Sequence, residues 1–225
     1  MPVPPSGSKR GMATRKRPAT PRPARIQPTP RGVDRDKAVR AGAALLGPPD
    51  FDALAYVAEL IRGVPDFPQP GILFRDITPL LADPRGFHIV LDAIAHRFVG
   101  EHVDAVVGIE SRGFIFGGAL AARLNASFVP VRRPGKLPSR TEKVSYSLEY
   151  GESELEMHRD SLAEGAQVLI VDDLLATGGT AAAAAELVDR QGAHVHAFAF
   201  VIELEALGGR GRLEPTPVVS VLKYE

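Results

Sequence analysis

The stretch VLIVDDLLATGGTAAAAAEL, Val168 to Leu187, decides the fold. Five residues from Gln167 to Val171 form a short aliphatic run of the kind buried on both faces of a sheet. Two carboxylates follow, Asp172 and Asp173, then the turn Thr177-Gly178-Gly179-Thr180, then an alanine-rich helix expected over 180–191. Strand, glycine turn and helix in that order predict a unit of an α/β sheet. The chemistry looks contradictory, because carboxylates repel the phosphate that a glycine turn opening a helix attracts.

Outward from this unit the same alternation repeats. DAVVGIE (104–110) predicts a buried strand and RGFIFGGALAARL (112–124) its helix. SFVPVRR (127–133), HAFAFVIEL (196–204) and VVSVLKY (218–224) predict further strands. VSYSLEY (144–150) and ELEMH (154–158) flank Gly151 and alternate as a hairpin does. Asp50 is placed to cap a helix carrying Phe51, Leu54, Val57, Ala58 and Ile61. Asp83-Pro84 is placed to start another, carrying Phe87, Val90, Leu91, Ile94 and Phe98. FPQPGILFRDITPLL (67–81) has too many prolines to be one regular element. The expected architecture is α/β: a mostly parallel twisted sheet flanked by helices.

Composition divides the 225 residues in two. Residues 1–40 hold eleven Lys/Arg against two Asp, whereas the rest hold sixteen against twenty-five Asp/Glu. Residues 1–45, rich in Pro and Arg and poor in large apolar side chains, are expected to be a disordered basic extension. A solvated extension, a start codon placed too early and an arm for nucleic acid or a membrane surface all fit that composition. It has no apolar core of a secretory signal. Residues 46–225 are the expected globular domain. There is no cysteine, hence no disulfide and no thiolate chemistry. No apolar run approaches the roughly 20 residues of a membrane span.

Ligands of such sheets sit beyond the carboxyl ends of the strands, which places Glu110-Ser111-Arg112, Arg132-Arg133 and Asp172-Asp173 on one rim. Gly178 and Gly179 let backbone approach a ligand, and Thr177 and Thr180 add hydroxyls. This is a cradle for one phosphate, without the lysine of a P-loop. Two adjacent carboxylates at the end of a buried strand need partners, and vicinal ribose hydroxyls suit them. By itself the stretch supports binding of a phosphorylated ribose. Arg112, Arg132, Arg133 and Lys136 add cations for a second phosphate centre, although a plain basic surface would look the same.

These residues resemble a known family. VLIVDDLLATGGT resembles the phosphoribosyl diphosphate (PRPP) motif of type I phosphoribosyltransferases. With FPQPGILFRDITPLL, ESRGF, RRPGKLP, SYSLEYGESELEMH and the terminal LKYE, residues 54–225 resemble the adenine phosphoribosyltransferases. Transferases acting on hypoxanthine and guanine, xanthine or orotate share the first motif; PGILFRDITPLL and SLEYG argue against them. A PRPP-sensing regulator without turnover is a further alternative, but no helix-turn-helix precedes the body. The resemblance implies a type I phosphoribosyltransferase fold with a small N-terminal hood and a β-hairpin lid. It implies that adenine and PRPP give AMP and pyrophosphate in a cytoplasmic homodimer, with Mg²⁺ held mainly by PRPP and water, not directly by protein. No membrane or nucleic-acid partner is expected. Ala176, Thr177, Gly178, Gly179 and Thr180 would cradle the 5-phosphate, and Asp172 and Asp173 would meet the ribose hydroxyls. Ser111 and Arg112 would meet pyrophosphate across a cis peptide after Glu110, with Arg133 and Lys136 adding charge. Phe74 would stack on adenine, with the backbone of Leu73 and Arg75 reading its edge. Glu149 would act as the acid/base. Taken alone, Glu149 reads as an outward-facing strand residue.

Overall fold

Strand β3 (Ala105–Ile109) is buried at every position, and this places it inside the sheet. The structure, a computed structural model, describes residues 51–148 and 151–225. The extension expected over 1–45, the expected cap Asp50 and the expected acid/base Glu149 lie outside the described residues. Asp52 to Glu225 form one unit.

Five strands make its main sheet in the order β4 (Ser127–Val131), β3, β7 (Gln167–Leu175), β8 (His194–Leu204) and β9 (Val218–Tyr224). All four pairings are parallel. Helices α4 (Gly113–Leu124) and α5 (Gly179–Arg190) carry the crossovers after β3 and β7. Alternating side chains feed two cores. Val107, Ile109, Ile170 and Phe200 face α5 with its Ala184, Leu187 and Val188. Val106, Leu169, Val171 and Val201 face α4 with its Phe116 and Leu120. Both faces are covered, so the strands read as continuous apolar runs.

The second core also takes in Val57 of α1 (Ala53–Glu59), Leu80 of α2 (Thr78–Ala82), and Val90, Leu91 and Ile94 of α3 (Pro84–Ala95). Asp83 caps α3 through Gly86 N–H at 2.6 Å, as its sequence predicts. The cap of α1 is Asp52, which accepts from Leu54 and Ala55 N–H at 3.0 Å, and not Asp50. Asp50 precedes Phe51 and Asp52 follows it, and the local backbone decides where the helix starts. Strands β1 (Arg62–Val64) and β2 (Phe74–Asp76) form a small antiparallel pair. Strands β5 (Thr141–Leu148) and β6 (Gly151–His158) form the expected hairpin. The hairpin meets the main sheet through a bridge between Arg132 and Glu156.

The chain runs from β3 outward to β4, then returns to place β7 on the other side of β3. The crossover direction therefore reverses between β3 and β7, and the crevice at their carboxyl ends is the ligand position of such a sheet. Gly113 closes it behind. A Cβ there would lie 2.6 Å from the Val171 carbonyl oxygen, so α4 can start against β7 only with glycine at that position.

Candidate active site

Strand β7 continues through the acidic pair to Leu175 instead of ending before it. Asp172 and Asp173 are therefore held by sheet hydrogen bonding, with one side chain on each face. Asp173 is 3% exposed and pairs with Arg112, whose Nε lies 3.0 Å from Asp173 Oδ2. Asp172 is half-buried, and its Oδ1 accepts from Asp173 N–H at 2.9 Å. Burial first, and the Asp173 charge second, push the Asp172 carboxyl well above the usual carboxylate range. Burial also raises Asp173, against the opposing pull of the Arg112 guanidinium. Among the described residues, Arg112 is the cation paired with this carboxylate couple, through Asp173.

The Thr177–Thr180 turn lies directly beyond them. Gly178 adopts φ +77°, in the left-handed region, and no side chain caps α5. Its first N–H groups thus face a cavity of about 80 Å³ lined by Asp172, Ala176, Thr177, Gly178, Gly179 and Thr180 among others. That space suits a single tetrahedral oxyanion. Behind the turn stands Gly209, the first residue of helix α6 (Gly209–Leu213). A Cβ on Gly209 would lie 2.1 Å from the Ala176 carbonyl oxygen. Arg210 pins this support: its Nε donates to buried Glu203 at 2.9 Å and its Nη1 to the Val218 carbonyl at 2.8 Å. Sequence reading missed Gly209, Arg210 and Glu203, for which the glycine pair Gly208-Gly209 was the available signal.

The peptide between Glu110 and Ser111 is cis, as the resemblance implies. Glu110 gathers the next loop. Arg132 Nη2 donates to Glu110 Oε1 at 2.8 Å, and Arg133 N–H donates to Oε2 at 3.0 Å. Arg132 is thereby committed to an ion pair that holds Glu110 below its ordinary value. Arg133 and Lys136 lie on the exposed part of the loop. On the hairpin, Tyr146 meets the phosphate turn, its hydroxyl accepting from Thr180 Oγ1 at 3.4 Å.

The β1–β2 pair forms the hood. Phe74 packs edge to face on Phe67, with centroids 5.1 Å apart. The Arg112 guanidinium lies 5.6 Å from the Phe74 ring centre, which joins the hood to the rim. Leu73 and Phe67 are each 50% exposed, an apolar wall beside the cations. Asp76 anchors this segment: Thr78 N–H and Arg62 donate to it and lower its carboxyl to about 2. Arg75 lies over the Tyr224 ring at 3.9 Å, tying the hood to β9.

Phosphate turn, buried carboxylate pair and cationic loops thus converge at one switch point. The phosphoribosyl transferase domain model matches residues 78–223. The chain belongs to the phosphoribosyltransferase family. It is 66% identical over 181 residues to the adenine phosphoribosyltransferase of Sorangium cellulosum, covering 78% of this chain and 90% of that one. The crystal structure of the Rhodothermus marinus adenine phosphoribosyltransferase superposes with a TM-score of 0.74 at 51% identity, over 76% of this chain and 98% of that one. The Saccharomyces cerevisiae enzyme, solved with adenine and an imino-altritol bisphosphate, gives 0.72 at 41% identity, over 76% and 98%. The expected type I fold holds, with a main sheet that is wholly parallel. Among the described residues no helix is long and apolar enough to cross a membrane.

Proposed function

We propose that this chain transfers the 5-phosphoribosyl group of PRPP to adenine, giving AMP and pyrophosphate in purine salvage. The observation that carries it is the convergence at one crevice of the phosphate turn, the Asp172–Asp173 pair and Phe74 below Arg112. Relatives above half identity along nearly their whole length are adenine phosphoribosyltransferases.

In this reading the backbone of Ala176 to Thr180 binds the 5-phosphate, and Asp172 and Asp173 accept from the ribose hydroxyls. Arg112 exchanges its contact with Asp173 for the diphosphate, supported by Ser111, Arg133 and Lys136. Phe74 stacks on adenine while the backbone of Leu73 and Arg75 reads its edge. The bond from C1′ to the diphosphate oxygen breaks as the bond from N9 to C1′ forms. Charge grows on the leaving diphosphate, and fixed cations stabilise it. Glu149, which lies between β5 and β6 in the sequence, acts as the acid/base for the purine proton near N7. The hairpin excludes water, which would hydrolyse the activated sugar.

Among the described residues no three His, Cys, Asp or Glu side chains are grouped to enclose an ion, and the Asp172–Asp173 pair is already shared with Arg112. That donor set fits a Mg²⁺ that arrives with the diphosphate, since Mg²⁺ keeps waters and substrate phosphates as ligands. Bound there, it would neutralise leaving-group charge. The enzyme is proposed to be a cytoplasmic homodimer. Ile115 and Phe128, exposed apolar side chains near the site, support a covered surface.

The test is steady-state turnover of PRPP with adenine, hypoxanthine, guanine and orotate. Adenine is expected to exceed the others by about a hundredfold or more in kcat/KM, because a site that hydrogen-bonds a base edge strongly rejects the wrong one. Turnover of hypoxanthine without adenine would sink the assignment.

A further inference from the structure

Glu156 is a carboxylate with 2% exposure on β6, twenty residues along the chain from Lys136. Burying a charge is costly unless it is well bonded, so its partners matter. Oε1 accepts from Lys136 N–H at 2.9 Å and from Leu137 N–H at 3.1 Å. Oε2 accepts from Thr141 Oγ1 at 3.2 Å, with Lys143 Nζ at 3.8 Å. Its backbone is spoken for as well: Arg132 N–H donates to the Glu156 carbonyl at 2.9 Å, and Glu156 N–H to the Arg132 carbonyl at 2.7 Å. One residue therefore bonds both ends of the 132–137 loop, joining the end of β4 to the lid hairpin. Gly135, with φ +78°, turns the chain between those ends. Of the groups on this loop, Lys136 has its backbone gripped while its ammonium stays on the exposed side.

We propose that Glu156 is a positioning residue for the leaving group: it sets the path of the Arg133–Lys136 loop so that its cations meet pyrophosphate. The inference rests on reading Lys136 and Arg133 as pyrophosphate ligands. Glu156 itself touches no substrate. Its action depends on reach, since both loop N–H groups converge on one oxygen. A glutamine retains that oxygen and can donate to Thr141 Oγ1, whereas an aspartate keeps the charge but falls short by one methylene.

The experiment is the reverse reaction, AMP with pyrophosphate, in Glu156→Asp, Glu156→Gln and Lys136→Ala full-length proteins. Glu156→Asp and Lys136→Ala are expected to raise the KM of pyrophosphate about tenfold and to leave that of AMP within about twofold, as loss of one aligned charge contact implies. Glu156→Gln stays within about threefold of the parent on both. Amide exchange over 132–138 should quicken in Glu156→Asp and not in Glu156→Gln, a readout that holds even if the aspartate variant is too unstable to assay. A rise shared equally by AMP and pyrophosphate, or unchanged kinetics and exchange in Glu156→Asp while Lys136→Ala is impaired, would overturn the positioning role. A glutamine variant as impaired as the aspartate one would overturn it too. Unchanged pyrophosphate KM in Lys136→Ala would instead overturn the reading of the loop itself.

Discussion

Asp172 carries two conflicting demands. Substrate hydroxyls need an ionised acceptor, while burial beside Asp173 disfavours the charge. A carboxyl raised in the folded state keeps its full contribution to stability below its ordinary value and loses it as pH rises through the folded one. Asp172→Asn removes that loss. The ligand-free variant should therefore melt above the parent, with a gap that widens as pH rises above the ordinary Asp value of about 4. The same change should lower kcat/KM for PRPP roughly thirtyfold, because a hydrogen bond to a charged group contributes about 2 kcal/mol. Calorimetric melting across pH and steady-state assay read the two effects separately. A gap that narrows with pH would contradict the assigned direction.

At the scale of elements, the hairpin β5–β6 carries residues for two neighbours. Tyr146 contacts the phosphate turn and Glu156 grips the cationic loop. In the proposed reading the hairpin thereby touches the loops for both phosphate centres of PRPP. Glu149, the proposed acid/base, should matter at the transition state more than in the ground state. Glu149→Gln is expected to lower kcat by about a hundredfold, within the range of acid–base catalysis, while PRPP affinity changes by less than about threefold. Single-turnover measurement is the suitable check, because product release can limit kcat. An unchanged chemical step would leave Glu149 as a lid residue only. The phosphate turn is likewise not self-sufficient: Gly209 of α6 supports it from behind, held by the Arg210–Glu203 pair.

Over the whole molecule, both buried clusters are drawn from Val57 to Leu222. Among the described residues these clusters cover the sheet on both faces. If residues 1–45 are the solvated extension their composition suggests, a protein lacking them should keep its melting temperature within a few degrees and its kcat/KM within about twofold. Loss of activity in that protein would show that the extension does more than append. The site itself is a property of topology. It lies where the sheet reverses its crossover direction, between β3 and β7, and each loop there comes from a different part of the chain.

Much of this was legible in the sequence. Continuous apolar runs followed by glycine turns specify strand and helix locally, since both faces of such strands must be buried. The Asp172–Asp173 pair before Thr177–Thr180 raised the expectation of a phosphorylated ribose, because residues so close along the chain lie at one end of the same strand. What the tertiary structure alone decided are the partnerships between distant residues. Arg112 pairs with Asp173, the Arg132 guanidinium forms the ion pair with Glu110 while Arg133 reaches it through its backbone N–H, and Glu156 holds Lys136 across twenty residues. Gly113 and Gly209 are needed only because other backbone comes within contact of them. Local sequence carries propensity and pattern. Which buried charge finds which partner depends on how the strands are ordered, and that is settled only when the sheet assembles.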